Sequence, residues 1–238
     1  MEISIFIVCF NEEIMLPKTV KHYKDRFPKA RITICDNHST DSSVLLALNL
    51  GCQVLQWQTA PDNFEFMLTH LKNNVWKSTN EWVIICDMDE WLNINEEQLL
   101  QEEQNGTTIL TVLGYDILGT SESPLLDDIN LETLTKGSPN PYENKKLCFN
   151  TKYVKELNFL HGCHHSNPVG QIKMSQSTYI LKHMDWLGLP YKINKMKIRY
   201  ERTFQMRKYG LAVHYTDNVE EITRQFNDRA QRCKDLNF

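Results

Sequence analysis

Over roughly the first 90 residues, apolar positions alternate between two rhythms. Ile3–Cys9 (ISIFIVC) is a continuous β-rich apolar run, the pattern of a strand buried on both faces. A helical pattern follows, with Pro17 near its first turn and apolar positions at Val20 and Tyr23. Arg31–Cys35 reads as a second strand and Cys52–Leu55 as a third. Between them, Val44–Leu50 reads as a helix that Ser39, Thr40 and Asp41 cap and Gly51 closes. Phe64–Lys77 predicts a longer helix with Phe64, Leu68, Leu71 and Val75 on one face, and Trp82–Cys86 a fourth strand. The order β-α-β-α-β-α-β predicts an α/β fold with a mostly parallel central sheet and right-handed crossovers. Ligands of such sheets bind beyond the carboxyl ends of the strands. Polar residues stand at three of those ends: Asn11 and Glu12, Asp36 and Asn37, Asp87 and Asp89.

The second half has a weaker rhythm. Thr107–Tyr115, Lys146–Phe149 and Tyr179–Lys182 read as strands, Thr120–Asn144 as a long polar loop, and Tyr191–Tyr209 and Val219–Leu236 as helices. The 238-residue length suits one domain over 1–238, with a nucleotide-binding half at 1–92 and an irregular acceptor-side half at 93–238. A net charge of −4 argues against nucleic acid as a partner. The longest apolar runs fall short of the roughly 20 residues that span a bilayer, so no transmembrane segment is expected. The cysteines are Cys9, Cys35, Cys52, Cys86, Cys148, Cys163 and Cys233. They are scattered and form no C-x-x-C pair, which points to a reducing, cytoplasmic location, compatible with a peripheral membrane position, and away from thiolate zinc.

The chemistry concentrates at Asp87-Met88-Asp89-Glu90, directly after the strand WVIIC. Two carboxylates one residue apart at a strand exit suit a hard divalent cation, Mn²⁺ or Mg²⁺, which in turn holds a diphosphate and neutralises its departing charge. In Cys35-Asp36-Asn37-His38-Ser39-Thr40-Asp41, Asp36 is placed to accept hydrogen bonds from a ribose or base, and Ser39–Asp41 to cap a helix. Phe10, Asn11, Glu12 and Glu13 follow the first strand, where backbone amides and Asn11 can hold a base or phosphate; an ordinary acidic helix start is the plainer reading.

These segments resemble glycosyltransferase family 2 and its relatives with the GT-A fold, a Rossmann-like architecture. The likeness rests on IVCFNEE, ICDNHSTD, NEWVIICDMDEWL and the Lys72-Asn73 pair on the helix before the last of these, in the family's order. The resemblance implies a nucleoside-diphosphate sugar donor, an inverting transfer to a hydroxyl of a glycan, lipid or protein, and a metal cofactor. It places Phe10, Asn11, Glu12, Asp36, Lys72, Asp87 and Met88 on the donor and Asp87 and Asp89 on the metal. Gly162-Cys163-His164-His165-Ser166 and Leu181-Lys182-His183-Met184 stand where relatives carry an acceptor-side histidine motif and a strand ending in Leu-His. His183 is thereby implied as a third metal ligand. The catalytic base is open among His164, His165, Asp116, Asp127 and Asp128.

Lys192–Lys208 carries Lys192, Lys195, Lys197, Arg199, Arg202, Arg207 and Lys208 against one acid, Glu201. A solvated basic face or contact with the donor diphosphate would account for it. Gly210–Tyr215 suits a hinge or lid, and Trp186 an acceptor stack or a core residue. Two other classes remain: a nucleotidyltransferase, disfavoured by the acidic Glu12-Glu13 where triphosphate would need basic groups, and a non-catalytic binding module, disfavoured by the intact acid pair.

Overall fold

The computed structural model describes residues 1–59, 64–119 and 130–236. Its first half follows the expected alternation: β1 (Ile3–Cys9), α1 (Met15–Arg26), β2 (Arg31–Asp36), α2 (Ser43–Asn49), β3 (Gln53–Gln56), α3 (Phe64–Asn74) and β4 (Trp82–Asp87). β1 lies between β2 and β4 and is parallel to both, with β3 parallel on the far side of β2. The register sets Ile5 between Ile32 and Ile84, and Ile7 between Ile34 and Cys86. Ile5 and Ile7 pack with Leu16, Val20 and Tyr23 of α1, while Phe6 on the opposite face packs with Leu68 of α3 and Trp76. β1 is thus covered on both faces, the physical reason for its unbroken apolar run. Each fully buried isoleucine contributes about 1.5–3 kcal/mol.

Beyond β4 the sheet becomes mixed. The chain reverses into β5 (Glu90–Asn93), then forms α4 (Glu96–Gln104) and β6 (Ile109–Leu118). The periodicity did not predict α4, but its start carries a sequence signature: the Asn95 side chain accepts from Gln98 N–H at 2.9 Å, and the Gln98 side chain accepts from Asn95 N–H at 3.0 Å. β7 (Lys136–Pro139) and β8 (Cys148–Asn150) follow, then the β9 (Val154–Glu156)–β10 (Val169–Gly170) ribbon, and the long β11 (Met174–Trp186). β8 runs antiparallel beside β4, while β11 pairs parallel with β6 and antiparallel with β5. The ten-stranded sheet is completed by β12 (Lys234–Asp235) against β7.

The C-terminal helices differ from expectation. The basic segment breaks at Thr203 into α5 (Leu189–Arg202) and α6 (Phe204–Arg207), and α7 (Val219–Arg232) stops before β12 rather than running to Leu236. Among the described residues no helix is long and apolar enough to cross a membrane.

Gly114 in β6 marks a close approach. A Cβ there would lie 2.2 Å from Glu143 Cβ and 2.6 Å from its carbonyl carbon. The short helical turn Pro141–Glu143 can therefore lie against β6 only over a glycine. Gly114→Ala is expected to destabilise the fold by about 1–3 kcal/mol through overpacking. Urea denaturation measures this; an unchanged midpoint would contradict the packing described.

Candidate active site

The turns after β1 and β2 are built as one unit. Asn11 and His38 both take left-handed backbone conformations, φ 52° and 57°. Asn11 N–H donates to Ser39 Oγ at 2.9 Å, and Thr40 N–H to Asn11 Oδ1 at 2.7 Å. Glu12 N–H donates to Ser43 Oγ at 2.8 Å, and Glu13 N–H to Asp41 Oδ2 at 3.0 Å. Ser43 and Asp41 therefore satisfy donors at the start of α1, and Ile14 has no side-chain cap of its own.

Asp36 is fully buried. Its carboxylate accepts from the Ser39 backbone (3.1 Å) and hydroxyl and from Gln56 Nε2 (2.9 Å), so it shapes the β2 turn. Its neighbour Asn37 faces the mouth. Asn37 Nδ2 donates to the Trp57 carbonyl at 3.1 Å, which orients Oδ1 outward, where it accepts from Arg202 at 2.6 Å. The Arg202 guanidinium lies 3.6 Å from the Phe10 ring centroid and 4.9 Å from that of Phe64.

The β4–β5 turn is clamped from two sides. Thr19 Oγ1 donates to the Met88 carbonyl at 2.7 Å, Tyr23 OH to the Glu90 carbonyl at 2.8 Å, and Met184 N–H to the Asp89 carbonyl. Met88 is buried in the core and presents no side chain to the mouth. Asp87 turns toward α3 and β8. Lys72 Nζ reaches its Oδ1 at 2.7 Å, its N–H donates to Glu90 Oε2 at 2.8 Å, and Lys145 Nζ stands 3.9 Å away. Lys145 also pairs with Glu90 and, at 2.8 Å, with Glu143. Lys72 is 2% exposed, so it is not a solvated helix lysine.

Asp89 turns the other way, toward β11. Strand register sets His183 beside Glu90 on one side and Asp116 on the other. His183 Nδ1 lies 2.7 Å from Asp116 Oδ1, and Nε2 lies 3.6 Å from Asp89 Oδ2. Asp185, two residues on and on the same face of the strand, completes a cluster: ligand atoms of Asp89, His183 and Asp185 lie within 4.8 Å of one another. Two carboxylates and an imidazole whose other nitrogen is held by a carboxylate form a fitting donor set for Mn²⁺ or Mg²⁺. Asp87 lies outside this cluster and Asp185 inside it. The sequence signal for Asp185 was the H-x-D spacing, hidden because the strand was expected to stop at Lys182.

Cations of α5 lie on the same acids. Lys195 pairs with Asp89 and, at 3.3 Å, with Asp185; Arg199 is 3.5 Å from Asp89 and 3.3 Å from Asp185; Lys192 pairs with Asp185 and sits 4.0 Å over the Trp186 ring. Trp186 is a core residue, 3% exposed. Burial raises the Asp89 pKa, but Lys195 and His183 outweigh it and hold the carboxyl well below its usual range. Burial likewise opposes charge on His183, and Glu143, Asp116 and Asp89 overcome it. Lys192 is drawn down to about 8 by burial despite Asp185. Burial, then the charge on Arg199, lowers Arg202 to about 10, and among the described residues Arg202 makes no ion pair.

Asp116 accepts from Asn140 at 3.0 Å and from Arg229 at 2.9 Å besides facing His183. These partners make it an anchor for His183. His164 stands near the cluster: Nδ1 is 3.1 Å from the Tyr142 carbonyl and 3.7 Å from Glu143, and burial, then Lys145, pulls its pKa down to about 4. His165 is exposed, its ring 6.4 Å from Tyr142. Asp127 and Asp128 lie outside the described residues.

The model of glycosyl transferase family 2 matches residues 4–165. Protein RfbJ of Shigella flexneri is 36% identical over 52 residues, 22% of this chain and 40% of that protein. Among solved structures, S. aureus TarS aligns over 96% of this chain and 43% of its own, with 11% identity and a TM-score of 0.44. Glucosyl-3-phosphoglycerate synthase from Mycobacterium tuberculosis, solved with Mn²⁺, UDP and glucosyl-3-phosphoglycerate, aligns over 48% of this chain and 44% of its own, with 16% identity and a TM-score of 0.36.

Two measurements check the electrostatics. Lys145→Met leaves Asp87, Glu90 and Glu143 without their shared cation and is expected to cost about 3–5 kcal/mol at pH 7 by chemical denaturation. A loss below 1 kcal/mol would contradict the pairing. Glu12 is pushed from an ordinary 4.5 up to about 7, by burial first and then by Asp89 against the opposing Lys195. Its folded pKa is raised, so the native state holds an extra proton between these values and loses stability as pH rises through them. Glu12→Gln is therefore expected to add nothing below pH 4.5 and to stabilise above pH 7; a pH-independent effect would count against this environment.

Proposed function

From the premise that the chain belongs to glycosyl transferase family 2, we propose that it transfers a sugar from a nucleoside-diphosphate sugar, a UDP-sugar, to a hydroxyl of a glycan, lipid or protein, with inversion. The observation that carries this reading is the convergence of Asp89, His183 and Asp185 at the sheet mouth beside the Phe10–Asn37 slot. In the proposal residues 1–92 hold the nucleoside of the donor, and residues 93–238 add His183 and Asp185 to Asp89 and supply the acceptor side.

The base stacks on Phe10, and Asn37 Oδ1 accepts from the imide N–H of uracil. Trp57 fixes the amide in that sense. Asp36 supports the slot through Ser39 and Gln56, and Asn11 and Glu12 frame its floor. Asp89, Asp185 and His183 hold Mn²⁺ or Mg²⁺, with Asp116 orienting His183. When bound, the cation supplies a Lewis acid that neutralises charge on the departing diphosphate. Asp87 and Lys72 form a fixed ion pair under the sugar-facing side of the site.

On the acceptor side, His164 Nδ1–H donates to the Tyr142 carbonyl, leaving Nε2 to accept the attacking hydroxyl's proton. At neutral pH His164 carries no charge. The exposed Tyr142 ring, flanked edge-on by His164 at 5.9 Å and His165 at 6.4 Å, offers an aromatic platform for a sugar ring.

The test is release of UDP from UDP-sugars with Mn²⁺. Asp89→Asn and Asp185→Asn are each expected to lower it by roughly 10²–10³-fold with the fold intact by circular dichroism, and excess EDTA to abolish it. Full activity in Asp185→Asn, or turnover indifferent to EDTA, would overturn the assignment.

A further inference from the structure

α5 occupies atoms that the donor site needs. Lys195 places an ammonium on Asp89 and Asp185, two of the three groups suited to a divalent cation. Arg202 lays a flat guanidinium over the Phe10 ring and takes Asn37 Oδ1, the face and the acceptor suited to a nucleobase. The two residues are seven apart and so about two turns apart on one face of α5, about 10.5 Å along its axis. A cation and a flat hydrogen-bonding group, linked at that spacing, imitate the two ends of a metal-bound nucleoside diphosphate.

We propose that α5 is a self-ligand: docked, it closes the donor cleft, and the nucleotide with its cation binds only as Lys195 and Arg202 withdraw. This rests on the donor assignment above. The two ends of α5 are held unequally. Its start is anchored by buried Lys192, paired with Asp185 and seated on Trp186. Its last turn is held at the donor site by Arg199, on both acids, and by Arg202, which has no acid partner among the described residues, and the helix gives way at Thr203 to the four-residue α6. The helix therefore peels from its C-terminal end while Lys192 stays. Arg199 also contacts both acids and moves with Lys195.

The experiment is calorimetric titration of UDP with Mn²⁺ into the full chain and into Lys195→Ala/Arg202→Ala. Lys192 and Arg199 still neutralise Asp89 and Asp185 in the variant. A ligand that must displace a docked element binds more weakly by the fraction of time the site is open. Removing both plugs is thus expected to tighten UDP·Mn²⁺ roughly tenfold or more. Hydrogen exchange on the unsubstituted protein reads the same event. Amides from Lys195 to Thr203 are expected to exchange faster with saturating UDP and Mn²⁺ while those of β1 and β4 stay protected. Weaker or unchanged binding in the double variant, or α5 amides equally or better protected with ligand, overturns the self-ligand and leaves the donor assignment standing. Failure of UDP·Mn²⁺ to bind either protein overturns both.

Discussion

Charge compensation at the mouth of the sheet is the constraint on which the rest depends. Asp87, Asp89, Glu90, Asp116, Glu143 and Asp185 are gathered where apolar strands end, and most are almost wholly out of solvent. An isolated carboxylate in such a place would take up a proton or unfold its surroundings. Each is met instead by a cation or a fixed donor: Lys72 and Lys145 on one side, Lys195, Arg199 and Lys192 on the other, with Arg229 and Asn140 on Asp116. Buried pairs of this kind stabilise little relative to an apolar core, yet removing one partner is severe. Their gathering at one mouth of the sheet points to a role beyond holding the fold.

The two halves of this network differ in kind. Lys72, Asp87 and Glu90 belong to α3 and the sheet, Glu143 and Lys145 to the turn and loop leading into β8, and these cations are nearly inaccessible. The Asp89–Asp185 side is closed by α5, a helix outside the sheet whose Lys195, Arg199 and Lys192 supply the counter-charge. On the proposed function, such a division would let one half set the geometry while the other keeps the acids neutralised until a metal-bound diphosphate replaces it. His183 stands at the division, held by Asp116 and facing Asp89.

Much of the rigid half was legible in the sequence. β1, β2 and β4 announced themselves because strands covered on both faces must be apolar throughout, and D-M-D-E after WVIIC marked the turn that carries Asp89. Lys72 and His183 were legible only through family resemblance. Asp185, Glu143 and Lys145 were not, because their place in the site comes from the long-range pairing of β11 and β8 with distant strands, which leaves no local period. The acidic turn residues carried no sign of their bonding: Asp36 bonds within its own turn and to Gln56, and its neighbour Asn37 meets Arg202. The basic face of α5 was visible as a cluster of charges. Its partners were not, since a helix pattern reports that one face packs and not on what. The break at Thr203 likewise lay inside an unbroken helical rhythm.

The most direct measurement is anomalous diffraction from a crystal grown with Mn²⁺ and UDP. The account predicts a manganese peak bounded by oxygens of Asp89 and Asp185 and by His183 Nε2, with the base against Phe10. A peak held by Asp87 without Asp185, or a nucleotide bound away from the carboxyl ends of β1 and β4, would contradict it.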